Sequence, residues 1–300
     1  MKYLITGGSG FIGSHLTDRL LKDGHEVIVV DDLSSGKISN LPKNNLNLKF
    51  HKVSIMEDIG KLFKGVDCVF HLAAKTRPQE SIKNPSLYNK INIDGTLNIL
   101  RFCKGNDVRR IVFMSSSSIY GNQDKLPISE TAIPLTASPY GLTKLVGEQY
   151  CQLFSRLYGL QINCIRPFNV FGTRQNPQGG YAAAICKFID MLNKGKTPYI
   201  TGDGEQTRDF IFVDDVVDLM ISASEFAIYG ESFNAGSETN ISINNLYKII
   251  SELMGKEDVI PDYIEEVFEP RVTLSDMSKA KKLLRWQSKV NLIAGLKTMI

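Results

Sequence analysis

The amino-acid sequence predicts an α/β fold, in which a doubly wound parallel sheet carries a smaller mixed α/β lobe. Through the first half of the chain, short continuous runs of β-branched and other apolar residues alternate with stretches of helical periodicity. Parallel strands buried on both faces have such runs, and the helices that connect them have such periodicity. After about residue 169 the alternation gives way to Gly-, Pro- and Asn-rich segments, which indicate a second lobe.

The predicted elements follow one another in a regular order. The strand YLIT precedes an amphipathic helix from Phe11 to Lys22, and VIVVDD and CVFHLAA are the next buried strands. A helix from about Pro85 to Lys104 leads to the strand RIVFMSS, and a helix from Ser138 to Tyr158 leads to QINCIRP. Strands alternating with helices in this way are typical of a doubly wound sheet.

No flexible linker marks the start of the second lobe. The segment NVFGTRQNPQGGY, a helix and the block GDGEQTRDFIFVDDV follow one another without a low-complexity stretch. We expect residues 1–170 to form the sheet domain, with segments at about 205–235 returning to it. Residues 171–300 should then form mainly the smaller lobe, over the carboxyl edge of the sheet.

Composition excludes several classes of protein. The chain has 300 residues, of which 43% are hydrophobic and 22% charged, and its net charge of +3 comes from interspersed signs, so no nucleic-acid surface is expected. No apolar run approaches the length of about 18 residues that a membrane span requires, and the amino terminus does not resemble a signal peptide. The five cysteines are scattered and lack CxxC spacing, so we expect reduced thiols in a cytoplasmic protein and no metal site.

A glycine-rich turn directly follows the first predicted strand. In GGSGFIGSHL, Gly7, Gly10 and Gly13 open a helix. These glycines permit a tight turn, close approach of the backbone to a pyrophosphate, and close packing of helix on strand, while the helix N-terminus attracts the anion. Asp31 ends the next strand, where a carboxylate accepts hydrogen bonds from a ribose diol and repels a 2′-phosphate, which favours NAD over NADP. Asp32 is the alternative ligand of the diol.

A tyrosine and a lysine form the candidate catalytic pair. Tyr140 and Lys144, in SPYGLTK, lie four residues apart and share one face of the predicted helix, and the serines of FMSSSSIYG lie upstream at the end of a predicted strand. A phenol beside an ammonium and a hydroxyl can remove a proton from an alcohol. Because the pKa of free tyrosine is about 10, work near neutral pH requires roughly 4 kcal/mol of phenolate stabilisation. Lys144 and a bound, positively charged nicotinamide ring are the expected sources.

The chain resembles the extended short-chain dehydrogenase/reductases of the NAD-dependent sugar epimerase/dehydratase family. The motifs TGGSGFIGSHL, VVDDLSSGK, VFHLAA, SSSSIYG, SPYGLTK, RPFNVFGTRQNP, GDGEQTRDFIFVDD and SDMSKAKKLLRW carry the resemblance over nearly the whole length. It is most similar to 4-epimerases of the UDP-glucose or UDP-N-acetylglucosamine type. The resemblance implies an NAD-binding Rossmann domain and a lobe that binds a UDP-sugar.

The resemblance also implies which residues contact the cofactor and the reacting carbon. Ser116 matches the third catalytic position, and Lys144 would hold the hydroxyls of the nicotinamide ribose. Tyr120 is expected to pack or to line the substrate side. The residues expected against NAD are Gly7, Gly10, Phe11, Ile12, Gly13, Asp31, Asp32, Ser35, Gly36, Ser54, Ile55, Leu72, Ala73, Ala74, Tyr140, Lys144 and Pro167.

For the substrate, the resemblance assigns a set of residues in the second half of the chain, together with Ser116. Asn169 and Arg208 match an asparagine and an arginine that contact the diphosphate, a role that suits a guanidinium fork. Arg174 and Gln175 match a lid segment that borders the sugar and the nucleotide. Tyr199 matches the strand that binds the base.

The chain departs from the family pattern at several positions. Near SDMSKA, relatives carry an arginine for the second phosphate, and Glu266 takes its place here, so Arg271 is the expected substitute. Thr273 falls where side-chain bulk controls access for N-acetylated sugars, and a small residue should admit them. After the third strand, Val53 to Ile55 replaces the usual Gly-Asp-Ile/Val, so the contact with adenine is altered.

Neutral residues beside Ser116 favour one reaction over others in the family. Dehydratases and decarboxylases carry acidic residues in this stretch, whereas this chain has Ser117 and Ser118. Oxidation and re-reduction at one carbon then remain, which predicts a UDP-hexose 4-epimerase. The alternatives are another nucleotide-sugar epimerase, a keto-sugar reductase, or a non-catalytic NAD-sensing or RNA-binding relative. The resemblance also implies a homodimer through the helices at 85–104 and 138–158.

Overall fold

The computed structural model describes residues 1–177, 183–266 and 269–300 of the chain. The strands are β1 (Lys2–Thr6), β2 (Glu26–Asp31), β3 (Leu48–Lys52), β4 (Cys68–His71), β5 (Arg110–Met114), β6 (Gln161–Pro167), β7 (Asn169–Phe171), β8 (Tyr199–Thr201), β9 (Thr207–Arg208), β10 (Phe210–Phe212), β11 (Ser232–Ala235), β12 (Ile241–Ser242) and β13 (Asp262–Ile264). The helices are α1 (Phe11–Lys22), α2 (Pro78–Lys83), α3 (Pro85–Tyr88), α4 (Gly95–Gly105), α5 (Pro139–Tyr158), α6 (Ala183–Asn193), α7 (Val213–Glu225), α8 (Ile243–Leu253), α9 (Ser278–Leu284) and α10 (Leu292–Lys297).

A seven-stranded parallel sheet forms the centre of the molecule, which confirms the predicted fold class. Its strand order is β3-β2-β1-β4-β5-β6-β11, and every neighbouring pair is parallel. The chain runs outwards in one direction from β1 to β3 and in the other from β4 to β11. Ligands bind at the carboxyl edge of such sheets where the direction reverses, so β1 and β4 flank the expected site.

Helices cover both faces of this sheet, because successive strand residues point to opposite sides. Leu4 and Ile28 belong to the apolar cluster that includes residues of α4 and α5. Their neighbours Ile5 and Val29 belong to the other cluster, which includes residues of α1 and α7. Both faces are therefore dry, as the continuous apolar runs predict.

The predicted helix from Pro85 to Lys104 contains an irregularity. Residues Asn89–Asp94 widen into a π-helical segment between α3 and α4. Such segments are often found at functional sites. Within this one, Asn92 is buried and its amide reaches two other parts of the chain.

Segments after residue 170 contribute to the main sheet and to elements outside it. β11 pairs with β6 at the edge of the main sheet, and α7 packs against α1. Outside the main sheet, β8 pairs in parallel with β13, β9 pairs antiparallel with β12, and α6 packs against α8. Among the three described ranges, no helix is long and apolar enough to cross a membrane.

Candidate active site

A cavity of about 480 Å³ lies at the carboxyl ends of the main-sheet strands. It is lined by residues that follow β1 to β6, in agreement with the position expected for a doubly wound sheet. Of the residues expected against NAD, Gly36 alone is absent from its wall. The others are Gly7, Gly10, Phe11, Ile12, Gly13, Asp31, Asp32, Ser35, Ser54, Ile55, Leu72, Ala73, Ala74, Tyr140, Lys144 and Pro167.

The glycine turn is built for close approach of backbone to backbone. Gly7 has φ +72°, and a Cβ there would lie 2.8 Å from the nitrogen of Ala73. A Cβ on Gly13 would lie 2.2 Å from the carbonyl oxygen of Gly7, so larger residues would push α1 away from the turn. α1 starts at Phe11 without a side-chain cap on its N-cap residue Gly10, which leaves its first N–H groups for a ligand. This cradle fits a dinucleotide pyrophosphate.

Asp31 is held in place by the glycine turn and by the loop after β2. Its carboxylate accepts hydrogen bonds from the backbone N–H groups of Ser9 and Leu33, at 3.0 and 2.8 Å. Burial raises the pKa of Asp31, and the two hydrogen bonds oppose that rise because they stabilise the anion. A Cβ on Gly36 would lie 3.0 Å from the same carboxylate. Asp32 is exposed and accepts a hydrogen bond from the N–H of Ser34.

A buried histidine chain, which sequence reasoning missed, supports the loop opposite the glycine turn. Thr96 Oγ1 donates to the carbonyl of Asn92, so it accepts from His71 Nε2 at 2.9 Å. His71 Nδ1 then accepts from Thr6 Oγ1 at 2.7 Å, and that hydroxyl accepts from the N–H of Ala73. Burial lowers the pKa of His71 to about 3, so the ring is neutral and this tautomer is maintained. The chain fixes Ala73 at the cavity wall.

The structure brings Ser116, Tyr140 and Lys144 to the same cavity. The side chain of Ser116 acts to lower the pKa of the Tyr140 phenol, and its hydroxyl accepts from the N–H of Ser118 at 3.1 Å. Lys144 Nζ donates to the carbonyl of Met114, at the end of β5, at 2.7 Å. The tyrosine and lysine lie on the first turns of α5, which begins behind the N-cap Ser138.

Burial governs the ionisation of this cluster in the chain alone. It raises the pKa of Tyr140 to about 12, and Ser116 only partly opposes the rise. Burial also lowers the pKa of Lys144 to about 8, because its ammonium is desolvated. The lowering of the tyrosine pKa by Lys144 and a bound nicotinamide ring together stays a prediction for the complex with NAD.

The backbone around Tyr140 is fixed from behind. Its N–H donates to Ser81 Oγ at 3.1 Å, and its carbonyl accepts from Thr143 Oγ1. The side chain of Asn92, in the π-helical segment, donates to that threonine hydroxyl at 2.9 Å. It also accepts from the backbone N–H of Lys75 and donates to the carbonyl of Lys75. This network connects the loop after β4 to the catalytic helix, and no sequence motif indicates it.

Tyr120 is part of a buried structural network and does not act as a second candidate base. Its hydroxyl donates to Asn234 at 2.6 Å and accepts from Arg166 at 2.9 Å. Arg166 also forms a buried two-pronged pair with Glu148 of α5, at 2.9 and 2.6 Å. Paired charges of this kind fix α5 against β6, since removing either partner would leave a buried charge.

A smaller cavity of about 110 Å³ adjoins the first. Pro78, Ser117, Ser118, Phe168 and Asn169 line both cavities, so the two form one cleft.

The predicted residues Arg208 and Thr273 line the smaller cavity as well. Arg208 is buried, and its guanidinium forms an ion pair of 2.9 Å with Glu269, a residue that sequence reasoning missed. Asn169 Nδ2 donates to the carbonyl of Asp209 at 2.9 Å. Among the described residues that line this cavity, Arg208 and Glu269 are the charged ones, and they neutralise each other.

Arg174 and Gln175 line the larger cavity, on the side of α1. Arg174 pairs with Asp18 of α1 at 2.6 Å, and Gln175 donates to the carbonyl of Val170 at 3.0 Å. The Gly-, Pro- and Asn-rich segment NVFGTRQNPQGGY continues into residues 178–181, which lie outside the described residues.

The structure brings neither Tyr199 nor Arg271 to the cleft. Tyr199 lies on β8 beneath the ammonium of Lys187, and it lines neither of these two cavities. Arg271 forms a surface pair with both carboxylate oxygens of Asp203, at 2.8 and 2.7 Å. Glu266 is exposed next to Gly202.

In the described part of the chain, no three or more His, Cys, Asp or Glu side chains are grouped so that they could hold a metal ion. The five cysteines are all free and buried.

A dinucleotide-binding protein with a doubly wound sheet is the class of protein that this geometry defines, because the glycine turn, Asp31 and the candidate catalytic side chains line one cavity. The chain matches the model of the NAD dependent epimerase/dehydratase family over residues 3–236, and it belongs to that family. NAD is accordingly its cofactor.

Known relatives resemble the chain over almost its full length. The UDP-glucose 4-epimerase of Mycolicibacterium smegmatis is 38% identical, over 99% of this chain and 96% of the relative. The UDP-N-acetylglucosamine 4-epimerase of Methanobrevibacter ruminantium, solved with UDP-N-acetylmuramic acid, has a TM-score of 0.94 and 36% identity. The UDP-glucose 4-epimerase of Thermotoga maritima, solved with UDP-glucose, has a TM-score of 0.93 and 38% identity. Each solved structure is covered over 97% of its length and 99% of this chain.

Proposed function

We propose that this protein inverts the configuration at C4 of a UDP-hexose through a 4-keto intermediate. The observation that carries the proposal is that Ser116, Tyr140 and Lys144 line the cavity that also contains the dinucleotide cradle. Bound NAD supplies the hydride acceptor and returns the hydride. The catalytic work of the chain is then to move one proton and to hold the sugar.

Tyr140 takes the proton of the 4-hydroxyl and later gives it back. Its pKa of about 12 in the ligand-free protein is too high for this work at neutral pH. The positive charge of the oxidised nicotinamide and the ammonium of Lys144, which is charged below about pH 8, lower it in the complex. Ser116 bonds the reacting oxygen and steadies the proton between oxygen atoms.

Inversion requires the keto sugar to present its other face to the same groups. The wall that the two cavities share supports such a turn of the sugar. A diphosphate bound by Asn169 and Arg208 in the smaller cavity would place the hexose beside Ser117 and Ser118, which line both cavities. The sugar then turns about its diphosphate while the nucleotide stays bound. A single tyrosine can therefore serve both half-reactions.

Neutral side chains next to Ser116 support epimerisation over elimination. Ser117 and Ser118 border the cavity, and neither can act as the acid or base that expels water or assists loss of carbon dioxide. The second candidate is another nucleotide-sugar epimerase or a reductase of keto sugars, which uses the same tyrosine and lysine. A non-catalytic NAD-sensing or RNA-binding role is less well supported, since the chain retains the pair.

The N-acetylated sugars are included in the proposed substrate range. Thr273 is small, and its hydroxyl accepts from the N–H of Asp209 at 3.2 Å, which keeps the side chain on the cavity wall. An acetamido group therefore meets a short, fixed side chain. UDP-N-acetylglucosamine should be turned over as well as UDP-glucose.

One experiment tests the function directly. The purified protein is denatured and the released nucleotide identified, and the native protein is then incubated with UDP-glucose, UDP-galactose and their N-acetylated forms. C4 inversion, followed by NMR without net change of NADH absorbance, is the expected result. A parallel incubation contains added NAD. Net formation of NADH there, without C4 inversion, would support the reductase acting in reverse, and recovery of all four sugars unchanged would refute the proposal.

We further propose a cytoplasmic homodimer. The thiols are reduced and buried, which suits a reducing compartment. On α5, Leu142, Leu153 and Leu157 share one side of the helix and are exposed in the single chain. Apolar side chains aligned in this way are typical of a helix that packs against a partner.

A further inference from the structure

The carboxylate of Asp209 is fully buried beside the smaller cavity. Its Oδ1 accepts from the N–H and the hydroxyl of Ser237, at 2.8 and 2.7 Å. Its Oδ2 accepts from the N–H and the hydroxyl of Ser275, at 3.0 and 2.5 Å. Burial raises the pKa of this carboxyl, and the four hydrogen bonds oppose the rise because each stabilises the anion. One side chain thus joins the segment after β11 to the segment before α9.

The backbone of Asp209 forms hydrogen bonds to polar residues that line the smaller cavity. Its carbonyl accepts from the backbone N–H and from Nδ2 of Asn169, at 3.1 and 2.9 Å. Its N–H donates to the hydroxyl of Thr273 at 3.2 Å, and Arg208 is its chain neighbour. Three residues that line this cavity, from three separate segments, are therefore positioned by Asp209.

The packing around this carboxylate leaves little freedom. A Cβ on Gly236 would lie 2.1 Å from the hydroxyl of Ser275 and 2.8 Å from Oδ2 of Asp209. The neighbouring segment is also tied to Ile128, which donates to the carbonyl of Leu274 at 2.8 Å. Because β11 ends immediately before this contact, the cavity wall is tied to the edge of the main sheet. Loss of even one hydrogen bond of the Asp209 carboxylate should therefore shift the polar wall of the smaller cavity.

We propose that Asp209 is a positioning residue for the nucleotide sugar. It fixes Asn169, Arg208 and Thr273 relative to one another and so sets the affinity for the substrate without contacting it. This inference rests on the proposed function, because it takes that wall to bind the diphosphate of a UDP-sugar. The chemistry at Tyr140 lies on other elements and should be insensitive to it.

The test compares two buried aspartates. Asp209→Asn keeps the size and shape of the side chain. It replaces one carboxylate oxygen, which accepts two hydrogen bonds, with an NH2 group that faces the N–H and hydroxyl of Ser237 or Ser275. The matched control is Asp215→Asn, since Asp215 is equally buried and accepts from the N–H groups of Lys289 and Val290, outside both cavities. Ser275→Ala removes one donor and serves as a milder second variant. Each NAD-loaded protein is titrated with UDP, assayed for kcat and KM, and mapped by hydrogen exchange.

We expect Asp209→Asn to weaken UDP binding and raise KM at least tenfold, with kcat changed less than threefold and NAD affinity less than twofold. Ser275→Ala should weaken UDP binding two- to fivefold, and Asp215→Asn should lower the melting temperature without changing KM. Exchange should accelerate at 169–171, 207–209, 236–237 and 273–276. An unchanged UDP affinity at a lowered melting temperature would mean that Asp209 is merely structural and would overturn the inference.

Failure of the proposed function is distinguishable from failure of this inference. If the wild-type protein does not bind UDP, the UDP-sugar assignment is wrong, and the hydrogen exchange of Asp209→Asn alone tests this inference. Faster hydrogen exchange confined to the four segments supports the positioning of the cavity wall by Asp209. Faster hydrogen exchange throughout the main sheet overturns it.

Discussion

In the smaller cavity, Arg208 Nη2 lies 2.9 Å from the carboxylate of Glu269, and both side chains are almost completely buried. This is the arginine that we propose to bind a phosphate of the substrate. If it does so, the phosphate and the Glu269 carboxylate compete for one guanidinium. The described lining of this cavity holds no other charged side chain.

Replacement of Glu269 by glutamine should strengthen the binding of UDP. The variant keeps the side chain but removes the charge that competes with the phosphate, and buried charges at this distance interact by several kcal/mol. After loss of hydrogen bonding is discounted, we expect about 1 kcal/mol, or roughly a fivefold lower dissociation constant by calorimetry. Asp203→Asn is the control, because it frees Arg271 outside both cavities and should change nothing. Weaker binding by Glu269→Gln would mean that the carboxylate itself holds the ligand.

Tyr140→Phe should lower turnover at least about 100-fold, because it removes the proton acceptor while keeping the ring against Tyr88. NAD should remain bound, which the absorbance of released nucleotide will show. Tyr150→Phe changes the same helix at a residue that lines neither cavity, and it should retain turnover. Equal activity of the two variants would contradict the assignment of Tyr140.

The sequence predicts the main sheet well because its signals are local. A buried parallel strand needs only a short apolar run, and a crossover helix needs only its own periodicity. The π-helical segment within the helix at 85–104 has a different origin. Within it, Asn92 bonds to Lys75 and Thr143, which are 17 and 51 residues away, so a local stretch of sequence does not contain these contacts.

The same reasoning explains which site residues were predictable. The dinucleotide residues follow strand ends within short motifs, and nearly all of them line one cavity. The substrate side is assembled from segments that lie far apart in the sequence, and each charged side chain there could pair with more than one partner. Arg271 pairs with Asp203 at the surface, and Arg208 pairs with Glu269, and neither choice is encoded near the arginine.

Cofactor preference should depend on Asp31 and not on Asp32. Asp31→Asn removes a carboxylate that two backbone N–H groups hold at the end of β2, so NAD should bind at least about tenfold more weakly and NADP should be less strongly rejected. Asp32→Asn, at an exposed neighbour on the same cavity wall, should change both affinities less than about threefold. Fluorescence titration with both cofactors measures this. The reverse ranking would assign the ribose diol to Asp32.

The proposed dimer should depend on the exposed apolar side of α5. Leu153 and Leu157 lie one helical turn apart and are 39% and 61% exposed. Replacing both with glutamate should give a monomer by light scattering, because two charges cannot be buried in an apolar contact. Leu46→Glu, at a side chain 98% exposed in a loop, should leave the mass unchanged. A monomeric wild-type protein would contradict the proposal.

Burial of the Lys144 ammonium should lower the free energy of unfolding of the NAD-free protein, although the lysine is proposed to be needed for catalysis. Its pKa in the fold is about 8, below the ordinary value of 10.5. Below pH 8 the lysine is charged in both the folded and the unfolded protein, so the whole cost of burying the ammonium is present. Between pH 8 and 10.5 the folded protein loses the proton first, and the cost disappears as the pH rises.

Lys144→Met should therefore raise the free energy of unfolding of the NAD-free protein at pH 7 and abolish turnover. The pKa difference of about 2.5 sets an upper limit of about 3 kcal/mol, and the lost hydrogen bond to Met114 reduces the expected gain to about 1–2 kcal/mol. At pH 10 the gain should vanish, because the folded wild-type protein then carries a neutral lysine. Lys22→Met, at an exposed position in the last turn of α1, should stay within about 0.5 kcal/mol at both pH values. A destabilised Lys144→Met at pH 7 in urea titrations would show that its ammonium is already compensated by the fold.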